Sequence, residues 1–367
     1  MNILFWFIIQ NLFIAFLLYI PGKLIPDTFQ ADLQLLPPTY IFLIINTIFF
    51  ISIWFLFTGF KIFSNQTIEK VRLKNFVIPL NFIIIINCLN VYINFAGTSF
   101  NNILETATLS RLGVIEDDFF NSYLSLLAAA ACYAIGFAAP HLERNKYFYY
   151  FLAFFGSFTI DLSQAGRSSL SFVIIIFFIS NTLGKKKNVG LTAILSLFFI
   201  SYCIFVTLSR GEYGEYAFPQ LIAYLSLPTV ASVDLILNRV FTIFPIFSNL
   251  VMLIPAYANL TKGIADFGYA EIYQNQVFGF NSYHMIGYFY GGFGQLLGPL
   301  IYIFIFSTCT FFITRKLKNK TDLLFYFGSS IVVLMAFRDF VPKWISFWIA
   351  IFFLNTILPK IKFQKSI

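Results

Sequence analysis

Ten long runs of apolar residues, separated by short polar stretches, constrain this chain more than any other feature. A helix that crosses a bilayer needs about 20 mostly apolar residues, because its backbone hydrogen bonds must close within the segment. The runs predict an all-α, polytopic integral membrane protein with about ten transmembrane helices, which form a single membrane domain over residues 1–367. The predicted spans are residues 3–20, 39–60, 76–96, 121–139, 147–163, 168–183, 189–208, 285–313, 323–337 and 343–358.

The composition supports a membrane protein. Of the 367 residues, 59% are hydrophobic and 11% are charged, which is too apolar for a soluble globule of this size. No basic region precedes the first run and no small-residue cleavage site follows it, so we expect a retained helix rather than a signal peptide. The cysteines lie in apolar runs without paired spacing and predict neither disulfides nor a metal site: Cys88, Cys132, Cys203 and Cys309.

The distribution of basic residues predicts the orientation. On alternate sides of the predicted spans, 16 of the 24 lysines and arginines fall on one side, and the positive-inside rule makes that side cytoplasmic. Both termini are then cytoplasmic, and the net charge of +8 needs no nucleic-acid partner. The eight basic residues on the outer side are Lys23, Arg111, Arg167, Arg210, Arg239, Lys262, Arg338 and Lys343.

One long stretch, residues 208–283, separates two of the predicted spans and lies outside the cytoplasm in this orientation. Residues 218–257 are too apolar for a solvated loop, yet prolines and charges interrupt them at short intervals. This pattern predicts two or three interfacial or re-entrant helices within the outer loop.

Three arginines, Arg167, Arg210 and Arg338, fall at the outer ends of predicted helices, where a charge is costly unless an anion or a carboxylate meets it. Guanidinium groups bind phosphates bidentately, so the trio predicts a site for a diphosphate. The chain lacks a phosphate-binding Gly-Lys-Ser/Thr loop, a zinc-type helix and a nucleophile elbow. These absences argue against ATP hydrolysis, zinc proteolysis and ordinary lipase chemistry. We expect neither a metal nor a cofactor.

Two of these arginines have simpler explanations. Arg167 precedes Ser168 and Ser169, which are positioned to cap a helix whose positive end favours an anion; Arg167 could instead pair with Asp161. Arg338 could pair with its neighbour Asp339 or extend into the head-group layer.

Two stripes of small or polar residues have both a packing and a binding interpretation. Three asparagines lie on one face of the third predicted helix: Asn87, Asn90 and Asn94. Their amides could form hydrogen bonds with a neighbouring helix or with the hydroxyl groups of a sugar. Four glycines lie along one face of the eighth predicted helix: Gly287, Gly291, Gly294 and Gly298. This face would allow a second helix or a chain-like ligand to approach the backbone closely.

The overall plan resembles the oligosaccharide repeat-unit polymerases, the Wzy-type O-antigen and capsule polysaccharide polymerases. The resemblance is carried by short motifs spread over most of the chain: Gly166-Arg167-Ser168, Arg210-Gly211, Phe293-Gly294-x-x-x-Gly298 and Arg338-Asp339. It implies a helical fold similar to metal-independent, lipid-dependent glycosyltransferases. It also implies transfer of a glycan from undecaprenyl diphosphate to a second lipid-linked repeat unit, at the periplasmic face of a bacterial inner membrane.

The same resemblance implies roles for individual residues. Arg167, Arg210 and Arg338 would bind the diphosphate, and Arg210 would also stabilise it as it leaves. The general base would be one of Glu212, Glu215, His284 and Asp339, although a lone histidine is often structural. Tyr213 and Tyr283 would stack on sugars or anchor at the interface. Membrane lipid, a chain-length regulator and a flippase are the expected partners.

Two other functions use similar residues. A flippase or exporter of lipid-linked oligosaccharides would also place arginines inside the membrane domain, but would show charges deep in several helices. An O-antigen ligase shares the donor and the side of the membrane and differs in its acceptor.

Overall fold

A computed structural model describes most of the chain. The described residues are 3–19, 35–59, 66–68, 71–97, 99, 102–103, 106, 122–163, 168–183, 189–208, 217–237, 284–338, 341–359 and 363–365. The helices are α1 (Ile3–Tyr19), α2 (Leu36–Thr58), α3 (Val77–Phe95), α4 (Ser122–Ala138), α5 (Lys146–Ser163), α6 (Ser168–Asn181), α7 (Val189–Leu208), α8 (Ala217–Leu237), α9 (Met285–Thr314), α10 (Lys320–Met335) and α11 (Ile345–Ile357). Short 3₁₀ helices cover Ala139–His141 and Val341–Lys343.

Each of the ten apolar runs lies on a helix, so the helical prediction is confirmed for the described residues. The ends differ by a few residues, because an apolar run does not mark where a helix is capped. The helix α8 lies within residues 208–283, the stretch for which the sequence predicts interfacial or re-entrant helices. The two described strands, β1 (Gln66–Ile68) and β2 (Phe363–Lys365), form an antiparallel ribbon in which Thr67 faces Gln364.

Several helices are suited to a membrane. Among the described residues, four segments are long and apolar enough to cross one: Leu36–Thr58, Val77–Phe95, Tyr123–His141 and Phe293–Thr314. The side chains of Ile41, Ile44 and Ile48 on α2 are each more than half exposed, as expected of a face that meets lipid. These features indicate a membrane protein; four such segments do not confirm the predicted count of about ten spans.

The chain divides into two compact units. Unit 1 comprises Met1–Ser64, Pro219–Arg315 and Ser329–Ile345, and unit 2 comprises Asn65–Phe218, Lys316–Gly328 and Ser346–Ile367. The helix α10 contributes residues to both units. The single membrane domain expected from the sequence stays a prediction.

The core of unit 1 is aromatic. Phe7 of α1, Phe50 of α2 and Phe306 of α9 are buried, and their ring centroids lie 4.3 to 5.6 Å apart. A polar contact joins the first two helices, since Asn11 Nδ2 donates to Thr47 Oγ1 at 3.0 Å. Aromatic packing through Phe306 thus positions α9 against α1 and α2.

The helix α9 is broken at Gly294. This residue has φ +83° and ψ −177°, a conformation that is essentially restricted to glycine. After the break, a Cβ on Gly298 would lie 2.6 Å from the carbonyl oxygen of Phe289, so the two halves of α9 are in close backbone contact. The expectation that the four glycines share one helix face is therefore wrong. The glycine face ends at Gly294, where α9 changes direction.

In unit 2, the helix α4 contributes mainly small residues to the core. Ala128, Ala130, Ala131 and Ala134 of α4 are completely buried, which permits the close packing that small residues allow between membrane helices. Asn87 of α3 accepts a 3.1 Å hydrogen bond from Ser125 of α4. The stripe of asparagines thus supplies an interhelical hydrogen bond at its first position.

Candidate functional site

Two of the predicted site residues, His284 and Arg338, are described, and both belong to unit 1. The other predicted site residues lie outside the described residues: Arg167, Arg210, Glu212, Tyr213, Glu215, Tyr283 and Asp339. The described part of the candidate site is therefore the corner of unit 1 around His284 and Arg338.

His284 caps the amino end of α9. Its ring Nδ1 accepts a hydrogen bond from the backbone amide of Ile286 at 3.2 Å, which satisfies one of the free amides in the first turn. Its own amide donates to the carbonyl oxygen of Pro228 at 3.0 Å, and Ser232 Oγ donates to its carbonyl oxygen at 3.3 Å. The backbone of His284 is thus attached to α8.

The imidazole of His284 is held neutral. The residue is 1% exposed, and its ring meets Phe42 edge to face at a centroid distance of 5.0 Å. This burial lowers the pKa of His284 to about 3. His284 lies before the apolar segment Phe293–Thr314. Because Nδ1 accepts from Ile286, we place the ring proton on Nε2.

Arg338 lies beside this cap. The backbone amide of Met285 donates to the carbonyl oxygen of Ala336 at 2.6 Å, and the amide of Arg338 donates to Met335 at 3.0 Å. The start of α9 and the end of α10 therefore meet in unit 1. Arg338 is half-buried, and no described carboxylate lies at ion-pair distance from its guanidinium. Its alternative partner, Asp339, lies outside the described residues.

A buried polar pair next to His284 is absent from the sequence-based prediction. Tyr302 donates to Asn46 Oδ1 at 2.6 Å, and the ring centroids of Tyr302 and His284 lie 5.9 Å apart. Asn46 Nδ2 is buried and has no hydrogen-bond partner among the described residues. The signal available in the sequence was an amide in the middle of the apolar run that forms α2.

In unit 2, Asp161 caps the amino end of α6. The two carboxylate oxygens of Asp161 accept from the amides of Ser169 at 3.0 Å and Leu170 at 2.8 Å. Asp161 is 1% exposed and belongs to the last turn of α5. The positive end of α6 is thus met by a carboxylate of the chain itself, in the place where the sequence predicted serine caps and an anion.

Among the described residues, no group of three or more His, Cys, Asp or Glu side chains is placed to hold a metal ion. The chemistry available in the described part of the site is consequently that of one half-buried guanidinium, a neutral imidazole and neutral hydrogen-bonding groups. Comparisons of the chain with protein-family models, with curated proteins and with solved structures find no match.

Proposed function

We propose that this protein is a glycosyltransferase that polymerises undecaprenyl-diphosphate-linked oligosaccharide repeat units into O-antigen or capsular polysaccharide. In this proposal it crosses a bacterial inner membrane about ten times, with both termini in the cytoplasm and the active site facing the periplasm. The proposal rests on the resemblance described above and on the chemistry of the outer arginines.

The structural observation that supports it best is the setting of Arg338. A guanidinium that is half-buried at the end of an apolar helix, with no described carboxylate to pair with, favours an anionic ligand. Arginine suits a diphosphate because its planar fork binds two oxygens at once and stays protonated. We assign Arg338 to the diphosphate of the donor, and Arg167 and Arg210 keep the same role from the sequence.

The proposed reaction breaks the bond between the anomeric carbon of the donor glycan and its phosphate oxygen. The lipid diphosphate leaves with the bonding electrons, and the guanidinium groups stabilise its charge. The hydroxyl at the non-reducing end of the acceptor forms the new glycosidic bond and gives its proton to a general base.

The setting of His284 bears on the choice of base. A histidine whose pKa lies near 3 and whose Nδ1 already accepts a backbone hydrogen bond is poorly suited to take a proton at neutral pH. We therefore favour a carboxylate, Glu212, Glu215 or Asp339, and give His284 the role of positioning the start of α9.

The test compares Arg338→Ala, Arg338→Lys and the exposed control Arg144→Ala in a strain that lacks the chromosomal gene. We expect both Arg338 variants to lose polymer while single repeat units still reach the cell surface, and Arg144→Ala to make polymer of normal length. Polymer of normal length from Arg338→Ala would contradict the proposal. Accumulation of the lipid-linked unit at the cytoplasmic face would support a flippase or exporter instead.

A polymerase and a ligase are distinguished by the acceptor that they use. Purified protein should extend one lipid-linked repeat unit with another and release undecaprenyl diphosphate. Transfer to the lipid A core alone, with no extension of repeat units, would assign the ligase activity.

A further inference from the structure

Two lysines from distant parts of unit 2 meet at the carboxyl end of α11. The backbone amide of Lys74 donates to the carbonyl oxygen of Ile357 at 2.9 Å. The ammonium of Lys320 donates to the carbonyl oxygens of Asn355 at 2.7 Å and Leu358 at 3.5 Å. Both lysines are therefore anchored to the last turn of one helix, where free carbonyl groups favour a cation. We call this place the lysine corner.

The acidic groups described near this end of unit 2 are already engaged. Glu143 pairs with Arg72 at 2.7 Å. Asp322 is buried and accepts from the backbone amide of Lys318 at 2.9 Å. The lysine corner thus has no described carboxylate to balance its charge.

The two ammonium groups also act on each other. Burial, and secondarily the charge of Lys74, lower the pKa of Lys320. A neighbouring positive charge of this kind favours an anion that both lysines can share. The side chain of Lys74 is exposed, and it makes no contact on which the fold depends, since only its backbone amide meets α11.

The lysine corner lies where apolar helices end. Lys74 comes three residues before Val77, the first residue of a segment able to cross a membrane, and α11 is itself apolar. Phe76, next to this start, is 44% exposed. A lysine beside an exposed aromatic ring at the end of a span matches the boundary between lipid head groups and acyl chains.

We propose that the lysine corner binds the phosphate of an anionic phospholipid head group. Lys74 supplies an exposed ammonium, Lys320 supplies one held by backbone carbonyl oxygens, and Phe76 contacts the start of the acyl chain. This site is separate from the proposed transferase activity, because it uses none of the residues assigned to the donor or the general base.

The experiment measures lipid retention by native mass spectrometry of the full chain, released from micelles that contain phosphatidylglycerol or phosphatidylcholine. Wild-type protein should retain phosphatidylglycerol in preference. Lys74→Ala should weaken that binding about fivefold, the effect expected of one lysine near an anionic surface, and Lys74→Arg should restore it. The matched control is Lys316→Ala, another exposed lysine of unit 2, which should leave binding unchanged.

Three results would overturn the proposal. Equal losses in Lys74→Ala and Lys316→Ala would mean that the attraction is spread over the surface and that there is no site. Absence of any preference for phosphatidylglycerol would exclude an anionic head group. Inorganic phosphate that binds the wild type, but not Lys74→Ala, and displaces the lipid at millimolar concentration would assign the corner to free phosphate.

Discussion

The backbone amide of Met285 donates a 2.6 Å hydrogen bond to the carbonyl oxygen of Ala336. This bond joins the start of α9 to the end of α10 within unit 1. It brings together His284 and Arg338, which are far apart in the sequence and have different expected roles: His284 as a candidate general base, Arg338 as a ligand of the diphosphate. The corner is a part of the candidate site that can be tested residue by residue.

Burial of His284 predicts a dependence of stability on pH. Its pKa is lowered from 6.5 to about 3 in the folded protein, so the unfolded chain binds the proton more readily as pH falls below 6.5. The free energy of unfolding should decrease through this window, by about 2 kcal/mol at pH 5 relative to neutral pH. His284→Asn keeps a capping acceptor but does not titrate.

The measurement for His284 is unfolding in detergent between pH 7 and pH 5. Other groups titrate in the same range, so the informative quantity is the difference between wild type and His284→Asn. As pH falls, the free energy of unfolding should decrease less for His284→Asn than for the wild type. Parallel pH profiles for the two proteins would show that His284 is not held neutral.

Removal of the Asp161 carboxylate should destabilise the hairpin between α5 and α6. Asp161→Ala leaves the amides of Ser169 and Leu170 without their acceptors and should cost about 2 to 4 kcal/mol, the sum of a lost cap and an unsatisfied buried donor. Asp161→Asn retains one acceptor oxygen and should cost less. Unfolding of both variants in detergent gives the comparison, and equal stability of Asp161→Ala and wild type would refute the capping role.

The break in α9 predicts that Gly294 does not tolerate a side chain. Its φ of +83° with an extended ψ is strained for any L-residue, so Gly294→Ala should lower the free energy of unfolding by about 1 to 3 kcal/mol. The control is Gly190→Ala in α7, where an added Cβ meets nothing within 4 Å. A helical glycine replaced by alanine should stabilise by about 0.5 to 1 kcal/mol. An unchanged free energy of unfolding in Gly294→Ala would argue that α9 continues straight.

The pair of Tyr302 and Asn46 should show energetic coupling. Tyr302→Phe leaves the buried amide oxygen of Asn46 without a donor, which should cost about 1 to 3 kcal/mol. A double-mutant cycle with Asn46→Ala measures the coupling. The double mutant should be destabilised by about 0.5 kcal/mol or more less than the sum of the two single mutants. Additive losses would show that the hydroxyl and the amide do not interact in the folded protein.

The helices were predictable, whereas the local breaks and caps were not. The apolar runs identified ten of the eleven helices, all except α8, because a chain in lipid must satisfy its backbone within each helix, which is a property of local sequence. Gly294 looked like one more small residue in a stripe, because a repeat of glycines does not reveal which of them adopts positive φ. The sequence suggests Asp161 only as a partner for Arg167, whereas in the structure its carboxylate caps α6, which begins at Ser168.

The sequence by itself determined the class of protein: a helical chain with apolar segments suited to a membrane, and with a small set of charged residues worth testing. Only the tertiary structure decided which polar groups meet, as when Tyr302 reaches Asn46, the amide of Met285 reaches Ala336, and Lys74 and Lys320 share the end of α11. Helix formation depends on neighbours a few positions away, whereas these contacts depend on how whole helices pack, and packing requires side chains from segments that are distant in the sequence.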